Sequence, residues 1–112
     1  MVVMDAGTGK VIANFPIGAG VDFAGFDPGA HLIFFSCSDG TLSVYHEKSA
    51  DEYEDAGAVK TQPSAKTMAF DTKTKKIFLP AAEYDEAPPA AGQKRPQRTV
   101  KPGSFVVLVV SK

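Results

Sequence analysis

Two opposite charges in matching places are the first candidates for chemistry. Asp22 and Lys66 stand near the starts of two similar stretches, Gly20–Asp27 and Ala65–Asp71, where together they could hold a small polar ligand. The plain alternative is two solvated charges. His46, followed by Glu47 at the end of a strand-like run, could bind a metal or move a proton, although such a pair also suits a solvated strand end. Cys37, with His31 and His46 in the same region, could be a nucleophile or ligand. It closes an apolar run, Leu32–Cys37, where a thiol behaves as a small inert hydrophobe. As the only cysteine it can form no intrachain disulfide.

Other motifs dissolve when their chemistry is required of them. A phosphate loop at Gly7-Thr8-Gly9-Lys10 would need glycine where Met4 stands and a hydroxyl where Val11 stands, so these residues read as a hairpin turn. Gly18-Ala19-Gly20 lacks the third glycine and the helix of a dinucleotide site. The acidic run Asp51, Glu52, Glu54, Asp55 lacks the spaced ligands and central glycine of an EF-hand. Lys94, Arg95 and Arg98 form a small basic patch that serves solubility. No catalytic constellation, metal site or cofactor emerges. A net charge of −1 gives no reason to expect nucleic acid or an anionic membrane as partner. No basic region precedes an apolar one at the start, and no run approaches the roughly 20 apolar residues of a spanning helix. The expectation is a soluble chain without an export signal.

The elements that must position these residues read as strands. At 112 residues and 44% hydrophobic, the chain suits one globular unit with a modest core. Val2–Asp5 and Val11–Ile17 read as a hairpin, with Pro16 favouring a sheet edge. Val21–Asp27, Leu32–Cys37 and Thr41–His46 read as three strands joined by turns at Asp27-Pro28-Gly29 and Ser38-Asp39-Gly40. Leu32–Cys37 is apolar on both faces and should be covered on both. Lys48–Glu54 reads as a solvated loop and Tyr53–Thr61 as a weak edge strand. Lys76–Ala81 answers His31–Ser36, with Pro80 arguing for a shorter ladder or a bulge. Glu83–Lys101, rich in Pro, Ala and charge, reads as an exposed, mobile loop in extended form. Ser104–Val110 returns to the sheet.

Ala65–Asp71 loosely repeats Gly20–Asp27, and Phe26 and Phe70 lie 44 positions apart. Four short strands at such a period is the expectation for propeller blades. The segments Val3-Met4-Asp5, Thr8–Ile12, Gly18–Asp22, Asp39–Leu42, Lys66–Asp71, Pro102–Phe105 and Leu108–Val110 resemble the bacterial seven-bladed propellers of the YncE or YVTN family, near their C-terminal end. The chain departs from that pattern at Phe35-Ser36-Cys37-Ser38, where an asparagine is usual. About five of the expected blades have no counterpart in the chain. The resemblance implies an exported or periplasmic parent. It also places Asp22 and Lys66, with His46 as a further candidate, at a channel mouth.

The expected fold is therefore all-β, with four-stranded antiparallel blades, about two per chain. Residues 1–19 would be an outer hairpin, 20–63 a complete blade, and 64–112 the inner three strands of a second, carrying an insertion at 83–103. Such a chain leaves apolar faces bare. The expected function is non-enzymatic: head-to-tail association of copies into a closed ring, roughly three or four to a ring, through Val2, Val3, Phe15, Phe105 and Val107, with exchanged dimers as the other open arrangement. The alternative is a cofactor- or small-molecule-binding propeller, enzymatic or not, with its site at the channel mouth.

Overall fold

The computed structural model describes residues 1–111, whose regular structure is eleven antiparallel β-strands. Strands β1 (Val2–Met4) and β2 (Val11–Asn14) form a hairpin. Asp5 holds its turn: the carboxylate accepts the backbone N–H of Gly7 at 2.8 Å and of Thr8 at 2.9 Å, which keeps it below the usual carboxylate range. The second arm stops short of the expected Ile17. Pro16 has no N–H to extend a ladder, and its carbonyl accepts the Tyr45 hydroxyl instead.

Strands β3 (Val21–Asp27), β4 (Leu32–Cys37), β5 (Thr41–Ser49) and β6 (Glu52–Lys60) form a four-stranded meander in that order. Aspartates write its turns. Asp27 accepts the Gly29 N–H at 2.9 Å, and Asp39 accepts the Thr41 N–H at 3.0 Å and hydroxyl at 2.6 Å. Gly40 follows at a φ of 93°, which a side chain would strain. The loop expected at Lys48–Glu54 is instead a continuation of β5 and β6. Cross-strand charge pairing supports it: His46 and Lys48 each lie 3.1 Å from a Glu54 carboxylate oxygen.

Strands β7 (Ala69–Asp71) and β8 (Lys76–Ala81) begin the next sheet. The expected mobile loop at Glu83–Lys101 contains a second hairpin, β9 (Tyr84–Ala87) with β10 (Gln97–Val100). Its Pro- and Ala-rich tip lacks strand structure. The β-prone ends Tyr84, Thr99 and Val100 pair, and the Arg98 guanidinium stacks 4.2 Å from the Tyr84 ring centre. Strand β11 (Val106–Val110) then lies beside β8, giving a three-stranded sheet ordered β11-β8-β7.

The repeat of 44 positions is visible in the backbone. β4 begins at Leu32 and β8 at Lys76, and they end at Cys37 and Ala81. Positive φ angles recur at the same spacing, at Gly20 and Ser64 and again at His31 and Lys75. The core forms between the two larger sheets, where Phe34 and Leu42 meet Met68, Ile77 and Leu79. Alternation along β4 sends Phe35 the other way, toward Tyr45 and the first hairpin. The layers are thus hairpin, four-stranded sheet and three-stranded sheet.

Candidate functional site

Asp22 and Lys66 come to the same end of the molecule. Asp22 accepts a hydrogen bond from the Thr67 hydroxyl at 3.3 Å, while the Lys66 carbonyl accepts from the buried Ser36 hydroxyl. Both side chains are exposed, and what they sit on is a seam between the two larger sheets rather than an enclosed cleft.

His46 lies elsewhere. Strand register puts Val21, Cys37 and Thr41 at one end of the four-stranded sheet, and Asp27, Leu32 and His46 at the other. His46 therefore does not join Asp22 and Lys66. It pairs with Glu54 at 3.1 Å, and that hydrogen bond, with the Lys48 ammonium, holds the Glu54 carboxyl below its usual range. His31 makes a similar 3.1 Å pair with Glu47. No group of three metal-ligating side chains forms among the described residues. Cys37 is fully buried, and burial pushes its thiol up, so the reactive thiolate is disfavoured.

The sequence did not reveal the tie between Asp27 and Lys75. The Lys75 ammonium lies 2.7 Å from the Asp27 carboxylate, joining the turn of the four-stranded sheet to the equivalent turn of its neighbour. Asp27 is only 2% exposed. The Lys75 hydrogen bond and the N–H of Gly29 keep its carboxyl below the usual range against the opposing effect of burial. The repeat was the available signal, since Lys75 occupies the place of His31; nothing local says that its side chain reaches across.

The five residues expected to make contacts between copies fall into two groups. Val2, Phe105 and Val107 are exposed, with Phe105 at 66% and Val107 at 50%. Val3 and Phe15 are half-buried within the chain, and the Phe15 ring lies 5.3 Å from that of Tyr45. Pairing register places Val107 opposite Pro80 and Val109 opposite Phe78, so these residues share the face of the three-stranded sheet turned away from the core. At the other end of the stack, the first hairpin leaves Val21 at 49% and Phe26 at 45% exposed. Apolar surface is thus open at both ends. Compared with family models, curated proteins and solved structures, the chain finds no match.

Proposed function

We propose that this chain is a non-enzymatic β-propeller module, of the YncE-like kind its sequence resembles, whose activity is head-to-tail association of copies into a closed ring. The observation that carries the reading is the pair of open apolar faces: Val107, Val109 and Phe105 at one end of the sheet stack, Phe26 and Val21 at the other. Sheets pack face to face through such surfaces. A face of one kind meeting a face of the other is a heterologous contact, which closes when the rotation per copy divides a full turn. The 44-position repeat supports the blade reading, because two sheets of the same construction stack on each other within one chain.

Two charge substitutions test the polarity of the contact. Val107→Glu spoils one face and Phe26→Glu the other, and light scattering should find each variant monomeric alone. Mixed in equal amounts they should form a one-to-one dimer, since one intact face of each kind remains. If Phe26→Glu alone still dimerises, the contact joins like faces and the ring reading fails.

A further inference from the structure

The two larger sheets do not close on each other along their whole width. A cavity of about 260 Å³ lies between Phe34, Leu42 and Val44 on one side and Phe70, Ile77 and Val110 on the other. Its cause is the unequal strand count: four strands face three, so Val59 of β6 lines the cavity and stays 39% exposed at the rim. Apolar walls give water few partners, and a dry cavity of about 150 Å³ with such walls accepts benzene. At about 260 Å³ this one has room for a bicyclic molecule.

One end is polar. Asp27 and Lys75 line it, their charged atoms 2.7 Å apart. The two charges offset each other, so an ionised head group meets little net attraction. An ammonium carries three N–H donors and Asp27 takes one, which leaves donors for an uncharged oxygen. We propose that this cavity binds a neutral, flat, apolar molecule of bicyclic size bearing one oxygen acceptor, with the oxygen on the Lys75 ammonium and the rings between Phe34 and Ile77. The site lies within one copy and stands whether or not copies assemble.

Titration of the full chain with 2-acetylnaphthalene, whose carbonyl oxygen accepts and which has no donor, followed by calorimetry and amide NMR, tests this. Saturable one-to-one binding is expected, with shifts at Val44, Val59 and Ile77. Lys75→Met should weaken 2-acetylnaphthalene by about two- to tenfold, the worth of one hydrogen bond, and leave naphthalene unchanged. Val44→Phe fills the cavity and should abolish binding. Val59→Trp blocks the exposed rim without touching the core, and should do the same should Val44→Phe not fold. Absence of saturation overturns the proposal. So does binding that survives Val59→Trp, which would place the probe on the open sheet faces, or 2-naphthoate binding as tightly as 2-acetylnaphthalene.

Discussion

The stretch from Gly20 to Thr61 and the stretch from Ser64 to Val110 enter their sheets through the same backbone. Gly20 and Ser64 share a positive φ, Asp27 and Asp71 each accept hydrogen bonds from the turn that follows, and His31 and Lys75 leave that turn at φ angles of 56° and 62°. They part company afterwards. β3 pairs with β4 from Val21 to Asp27, whereas β7 pairs with β8 over Ala69–Asp71 only. Pro80 stands where the first stretch has Ser36, and it has no N–H with which to carry the ladder further. Equivalent turns do not guarantee equivalent sheets. The first sheet is covered on one face by its neighbour and partly covered on the other by the hairpin, while the second leaves Val107 and Val109 of its outer face half exposed.

Breaking the shared core should produce the largest effect. Leu42 belongs to the first stretch and Leu79 to the second, and both are almost fully buried in one cluster. Leu42→Ala and Leu79→Ala should each cost about 2–5 kcal/mol in urea unfolding, with one cooperative transition. Two separate transitions would show that the stretches fold independently.

The two turn aspartates give a smaller contrast. Asp27→Asn disrupts a buried, charge-assisted contact between the sheets and should cost about 1–3 kcal/mol, while Asp71→Asn, at a more open turn, should cost less. Asp27 has a lowered carboxyl pKa in the fold, so its contribution is present above the unfolded value of about 3.9 and lost as pH falls through the folded one. Stability measured from pH 6 downward should therefore fall less steeply in Asp27→Asn than in the parent below about pH 4. Parallel curves would remove Asp27 from the account.

Pro80→Ser tests the smallest difference. Returning the N–H should extend β7 pairing toward Thr67, seen as slower amide exchange there, with stability changed by only about 0.5 kcal/mol. Unchanged exchange would mean that something other than Pro80 limits the ladder.

Much of this was legible in the chain. Leu32–Cys37 and Lys76–Ala81 are strands as read, because β-prone runs bounded by Asp-Pro-Gly, Ser-Asp-Gly or Lys-Thr turns leave little choice. Lys48–Glu54 was misread because its polarity marks solvent exposure, and an exposed hairpin end held by cross-strand charge pairs is just as polar as a loop. Glu83–Lys101 was misread for a related reason: its Pro- and Ala-rich tip dominates the composition and hides the short pairing arms. Among the candidate residues, period alone brought Asp22 and Lys66 to one end. The place of His46 needed register, which depends on how far each strand runs before it turns.

Sedimentation equilibrium of the unmodified chain at micromolar concentration tests the central claim most directly. The ring account predicts a discrete species of about three or four chain masses, closed and not growing further with concentration. A folded species of single-chain mass across that range would contradict it.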